Sequence, residues 1–188
     1  ARSGAPNCLG GAMTQAALAI SELCRPNLMA NGVAALEAVE AGISSAAFET
    51  IVETNTLFSG LGFESAGLAA AHAVHNGLTV AEGTHGFLHG EKVAIGTLTQ
   101  LLLEQADQEE IDELIAFFSS VGLPVTLAEI GLDDIDDETL ERIAQRAVVP
   151  DESIHHEPFP VTAESVKQAL LDADAAGIAW QRRASTRS

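Results

Sequence analysis

Residues 62–96, GFESAGLAAAHAVHNGLTVAEGTHGFLHGEKVAIG, contain the features that decide how this chain folds. They hold four of the six histidines, two Gly-rich turns and a run of small residues that is typical of a tightly packed helix. His72 and His75 are about one helical turn apart, so their side chains project from nearly the same face. Because burying an unpaired imidazole is costly, other groups are expected to satisfy both rings.

The composition favours one all-α domain. The chain has 188 residues, about one domain's length, and its 47% hydrophobic content is ample for a sizeable core. Ala, Leu and Glu dominate, Tyr is absent, and no segment alternates with a period of two. We therefore predict a multi-helix bundle of about eight helices that occupies residues 1–188 as a single domain.

The charge excludes two classes of partner. With 27 acidic and 9 basic residues, the net charge is −18, which repels nucleic acid and anionic membranes. No signal peptide or membrane-spanning run is recognisable. Cys8 and Cys24 are too scattered for a disulfide framework or a CxxC metal site, so we expect free thiols and a cytoplasmic protein.

Helix breakers set the predicted boundaries. Pro26 is expected to kink or restart the first helix, and Gly32 and Gly42 to break the next segment. A further helix is expected to end at 59–60, with a turn at 60–62. The later predictions are a small-residue helix at about 66–76, a loop at 79–90, and helices within 91–104, 105–124, 136–148 and 162–183.

His72 and His89 are the candidate metal ligands. A catalytic zinc has three protein ligands and an open position, and imidazole nitrogen is a suitable donor. His72 lies on the small-residue helix and His89 at the far end of the Gly-rich loop, so the intervening turn can fold one back onto the other. The pattern alone leaves a second interpretation open, in which both are hydrogen-bonded core or loop histidines.

The other polar candidates receive weaker assignments. His75 either lies near a bound substrate or supports the helix by bonding to a backbone carbonyl, and the second role is favoured. His85 is expected to be exposed and without a role, and His155 and His156 to form a solvated surface pair. Lys92, beside Glu91, is expected in a surface or interdomain ion pair.

The sequences AAAHAVHNGLT at 69–79 and HGEKVAIGTLTQL at 89–101 resemble the metal-dependent glycerol dehydrogenases, within the wider iron-type polyol and alcohol dehydrogenases. The resemblance covers nearly the whole chain, but only the helical C-terminal half of such an enzyme. It implies a metal held by one aspartate and two histidines, and it carries the histidines onto His72 and His89. No residue here matches the aspartate, which lies upstream in the family.

The resemblance also implies a reaction: oxidation of glycerol, or a similar small diol, to a ketone such as dihydroxyacetone, with zinc, alternatively iron, and NAD. Phe63, in GFES, matches the rim of the family's substrate pocket, although an ordinary core Phe is nearly as consistent with the sequence. No residue of this chain is assigned as a catalytic acid or base. NAD would bind to the nucleotide-binding half, which is expected to be absent from this chain, and a homo-oligomer is expected.

Two alternatives remain open. The chain lacks an initiator Met and enters a helical pattern almost at once, as a fragment does. By itself it is expected to be inactive. The alternatives are a non-catalytic helical or oligomerisation module derived from such an enzyme, and part of a related dehydrogenase for another polyol, alcohol or aldehyde.

Overall fold

Helices account for every regular element in the computed structural model, which describes residues 4–7 and 9–186. No strand occurs in these two ranges, so the predicted all-α class is confirmed. The described residues divide into two compact units, one up to Leu68 and one from Ala69 onward. The predicted single domain over 1–188 stays a prediction. Cys8, one of the two thiols considered above, lies outside the described residues.

The first unit is a helical hairpin. Helix α1, Gln15–Glu40, begins at Thr14, whose side chain accepts a hydrogen bond from the Ala17 amide, 3.1 Å away. The predicted restart at Pro26 and the predicted break at Gly32 are wrong, because α1 runs through both positions, whereas the kink at Pro26 stays a prediction. A proline removes only one backbone donor from a helix, and α1 packs along its length against the helices that follow. Gly42, with φ of +66°, lies in the turn after α1, as predicted.

The return limb of the hairpin is longer than predicted. Helix α2, Ala46–Glu53, passes through one π-helical turn, Thr54–Phe58, into α3, Ser59–Ala66. The predicted helix end at 59–60 and turn at 60–62 are therefore wrong. Gly62 serves close packing instead, since a Cβ there would lie 2.9 Å from the Ser21 hydroxyl oxygen. The limb ends at Gly67, with φ of +83°.

The second unit packs around one short helix. Its helices are α4 (Ala70–Leu78), α5 (His89–Leu103), α6 (Gln108–Ser120), α7 (Asp137–Ala147) and α8 (Ala163–Ser185). Single 3₁₀ turns lie at Glu82–Thr84, Ala128–Ile130 and Ser153–His156. Helix α4 contacts α5, α7 and the last of these turns, and its Val74 and Leu78 are fully buried in the core.

Glycines allow α4 to approach its neighbours backbone to backbone. A Cβ at Gly77 would lie 2.5 Å from the Ile143 carbonyl oxygen of α7. A Cβ at Gly96 of α5 would collide with the Ala71 carbonyl oxygen of α4. The small-residue helix predicted at about 66–76 is found at Ala70–Leu78, and Gly77 and Gly96 let it pack closely on two sides, because interior packing leaves no room for an added methyl group.

Local start and stop signals are confirmed later in the chain. Gly122, with φ of +74°, follows α6, and the Thr162 hydroxyl accepts a hydrogen bond from the Ser165 amide at the start of α8. Within residues 4–7 and 9–186, none of the helices combines the length and apolarity needed to cross a bilayer.

Candidate functional site

Distant side chains fix the beginning of α4. Ala69, which precedes the helix, has no side chain that could cap it. The Glu157 carboxylate accepts a hydrogen bond from the Ala70 amide at 3.0 Å, and the Gln100 side-chain oxygen accepts one from the Ala71 amide at 2.9 Å. These acceptors satisfy two backbone donors that a helix start leaves unpaired, so the turn that carries His72 is held firmly.

Lys92 fixes the loop between α4 and α5. Its ammonium donates to the carbonyl oxygens of Thr84 at 3.2 Å and Phe87 at 2.9 Å. The predicted surface or interdomain ion pair of Lys92 is wrong: the side chain is only 7% exposed, because it reaches inward to pair these loop carbonyls. Glu91 turns back to accept from the Leu88 amide at 2.6 Å. His89 consequently lies in the first turn of α5.

The two predicted ligands lie next to each other. The ring centres of His72 and His89 are 5.5 Å apart, with the rings tilted by 45°. Two imidazoles that share a tetrahedral zinc, with Zn–N distances of about 2.0–2.1 Å, place their ring centres roughly 5 Å apart. The separation of this pair therefore suits a shared metal ion.

The expectation that other groups satisfy both imidazoles is wrong for His72 among the described residues. Its ring is half-buried, and neither nitrogen bonds to any group in the described part of the chain. Burial lowers the pKa of His72, and the neighbouring His89 and His75 lower it further. The ring is therefore neutral near pH 7, the form in which a histidine nitrogen can bind a metal.

His75 belongs to a hydrogen-bond network. Its Nδ1 lies 3.1 Å from Asn76 Oδ1, and its Nε2 lies 3.0 Å from Nδ1 of His89. Both ring nitrogens thus face side chains and not the backbone carbonyl that the supporting role envisaged. Asn76 Nδ2 donates to both carboxylate oxygens of Glu152, which also forms an ion pair with Arg146.

Sequence reasoning missed Glu152, Arg146 and Glu157 as neighbours of the histidines. Glu152 is 76 positions from Asn76, and Glu157 is 87 positions from Ala70. One local signal exists in the loop after α7. This loop carries acidic residues, and few exposed basic residues lie in the same stretch. No pattern on α4 itself points to them.

The other residues singled out from the sequence are three histidines of the second unit and Phe63 of the first unit. His85 is exposed, as predicted, with Nε2 3.0 Å from the Thr79 carbonyl oxygen. His155 is also exposed, and its ring lies against the carbonyl oxygens that end α7, whereas His156 is half-buried. Phe63, on α3 of the first unit, is 49% exposed, so the core interpretation of this ring is wrong.

The described residues do not by themselves supply a complete donor set for a metal. No group of three or more His, Cys, Asp or Glu side chains within residues 4–7 and 9–186 is placed to hold an ion. His72 and His89 fit two positions of a three-ligand site, and a catalytic zinc needs one more protein donor.

Comparison with known proteins agrees with these features. The chain is 53% identical to glycerol dehydrogenase from Thermotoga maritima over 173 residues, which cover 92% of this chain and 48% of that protein. It is 49% identical to glycolaldehyde reductase from Halobacterium salinarum, covering 94% of this chain and 48% of that protein. No protein-family model matches.

The fold comparison gives the same picture. The crystal structure of glycerol dehydrogenase from Schizosaccharomyces pombe superposes with a TM-score of 0.94 and 38% identity, covering 98% of this chain and 48% of that one. The chain thus spans about half the length of the curated relatives it matches. The chain is therefore similar to the C-terminal, helical half of the glycerol dehydrogenases.

Proposed function

We propose that this chain supplies the helical, metal-binding half of a zinc-dependent, NAD-linked dehydrogenase that oxidises glycerol or a similar small diol. The observation that carries the proposal is the adjacent pair of His72 and His89. One ring has no hydrogen-bond partner among the described residues, and the other uses only its Nδ1. The names of the relatives support the same reaction.

In this proposal the two imidazoles bind and orient the metal and take no part in proton transfer. A bound zinc ion would act as a Lewis acid that makes a hydroxyl group easier to deprotonate. The third protein donor and the NAD site would come from outside the residues described, and a homo-oligomer is expected. Phe63 is proposed as an apolar wall for the substrate, on the strength of its exposed ring and its match to GFES.

A second candidate is the reduction of a small hydroxyaldehyde. It is favoured by the 49% identity to a glycolaldehyde reductase, which is close to the 53% identity to the glycerol dehydrogenase of Thermotoga maritima. The two reactions differ in substrate and preferred direction and use the same kind of hydride transfer. A non-catalytic module is disfavoured, since such a module has no reason to retain two adjacent imidazoles at ligand spacing.

The test is zinc binding by the intact protein, followed by kinetics. We expect stoichiometric zinc in the wild type and a loss of affinity of more than about 100-fold in His72→Ala and in His89→Ala. His85→Ala is the matched control and should bind normally. Equal affinity in all variants would contradict the site. NAD-linked rates with glycerol and with glycolaldehyde then separate the two candidate reactions.

A further inference from the structure

A continuous hydrogen-bond chain leads from a buried carboxylate to one of the proposed ligands. It runs from Glu152, paired with Arg146, through Asn76 and His75 to His89, and we call it the carboxylate relay. We infer that Glu152 and Asn76 are positioning residues, which hold the proton of His89 on Nδ1 and so leave Nε2 free for the metal. The inference rests on the proposed metal-binding function of His89.

The relay has a defined direction at its origin. The Glu152 side chain is only 10% exposed and forms an ion pair with Arg146, and its two carboxylate oxygens act as hydrogen-bond acceptors. Its two oxygens lie 3.2 and 3.0 Å from the same atom of Asn76. That atom must therefore be the amide nitrogen, because the amide oxygen would face two acceptors without a proton between them.

The orientation of Asn76 decides the tautomer of His75. With the amide nitrogen directed at Glu152, the amide oxygen faces Nδ1 of His75 at 3.1 Å. An amide oxygen only accepts, so His75 must carry its proton on Nδ1. In the neutral ring, Nε2 is then an acceptor with a free lone pair.

The tautomer of His75 in turn decides that of His89. His75 Nε2 and His89 Nδ1 are 3.0 Å apart, and one of them must donate. Since Nε2 of His75 is the acceptor, Nδ1 of His89 carries the proton. Its lone pair then lies on Nε2, and for that atom no protein partner occurs in the described part of the chain. A neutral imidazole without such partners can place its proton on either nitrogen.

The relay also differs from a purely structural connection between α4 and the loop after α7. Such a connection would stabilise the fold but would not determine which ring nitrogen of His89 carries the proton. Groups that hydrogen-bond a metal-bound histidine fix its tautomer, and their loss typically costs about 10–100-fold in metal affinity. The relay therefore predicts a chemical signature at His89 in addition to stability.

The deciding experiment is NMR of the intact protein labelled with ¹⁵N-histidine and freed of metal, in which the nitrogen shifts report which ring nitrogen is protonated. We expect protons on Nδ1 of both His75 and His89. A proton on Nε2 of His89 would overturn the inference, whether or not the protein binds zinc. A proton on Nδ1 in a protein that fails to bind zinc would uphold the relay and refute the proposed metal function.

Two variants supply a second measurement. Asn76→Leu removes the relay and should weaken zinc binding by about 10–100-fold. The double variant Asn76→Asp with Glu152→Gln exchanges the donor and the acceptor between positions 76 and 152 but keeps an acceptor facing His75. It should therefore retain most of the zinc affinity and the Nδ1 proton on His89. Wild-type affinity in a folded Asn76→Leu protein, or loss of affinity in a folded double variant, would contradict the inference.

Discussion

The Glu157 carboxylate accepts a hydrogen bond from the backbone amide of Ala70, 3.0 Å away, at the start of the helix that carries His72. The carboxylate is largely buried, and this burial raises its pKa, with a further contribution from the nearby Glu104. The hydrogen bond from Ala70 acts in the opposite direction and limits the rise. A helix start is therefore stabilised by a group that is costly to ionise.

The first prediction concerns the pH dependence of stability. Because the folded pKa of Glu157 is raised, the folded state binds more protons than the unfolded state between the two pKa values, and stability falls as the pH rises through that interval. Glu157→Gln keeps the acceptor without the charge, so its stability should decline less over this interval. Urea unfolding from about pH 4 to about pH 8 measures the difference.

Glu157→Ala is the companion variant. It lacks the acceptor, so we expect it to lose about 1–2 kcal/mol throughout the same pH range, as other lost helix caps do. Identical pH profiles for wild type and Glu157→Gln would mean that the carboxylate does not experience the burial that the structure gives it.

The second prediction tests the close crossing of α4 and α5. A methyl group at Gly96 would collide with the Ala71 carbonyl oxygen, so Gly96→Ala should destabilise the protein by about 1–3 kcal/mol. Gly90→Ala, on the same helix, is the matched control, because nothing lies within 4 Å of its added methyl group. Thermal unfolding of both variants checks the prediction, and equal melting temperatures would contradict the proposed crossing.

The third prediction concerns the buried ammonium of Lys92. Lys92→Met removes the donor to two loop carbonyl oxygens and should cost about 2–3 kcal/mol, because those acceptors lose their partner. Lys167→Met is the control, since Lys167 pairs with the well-exposed Asp137 and such pairs contribute little. Unfolding of both variants at the same denaturant concentration would show that Lys92 stabilises the protein no more than Lys167 does.

The fourth prediction concerns activity. The 188-residue chain alone should show no glycerol-dependent reduction of NAD, because only two of its residues are proposed as metal ligands and no nucleotide-binding segment is recognised in its sequence. The assay measures NADH formation by the purified chain with added zinc. A clear glycerol-dependent rate would show that this half contains the complete catalytic site.

Local signals made much of the second unit predictable from sequence. Thr162 begins α8 and Gly122 follows α6 because a cap or a left-handed turn depends on a few neighbouring residues. The pairing of His72 with His89 was also predictable, since both lie in one short stretch that must fold back on itself.

Long-range contacts explain what sequence reasoning missed. Pro26 and Gly62 act as breakers in isolation, but packing within the first unit keeps both inside helices. Lys92 and Glu157 are charged residues that are expected at the surface, and their burial depends on backbone groups of other segments. No periodic pattern in the chain encodes these partners.

Whether His72 and His89 share a zinc ion is tested most directly by a crystal structure of the intact protein with zinc, using anomalous diffraction at the zinc edge. We expect an anomalous peak between His72 and His89, about 2.0–2.1 Å from one nitrogen of each ring. On His89 that nitrogen should be Nε2. A peak at the exposed His155 instead, or zinc bound without either His72 or His89 as a ligand, would refute the proposed zinc site.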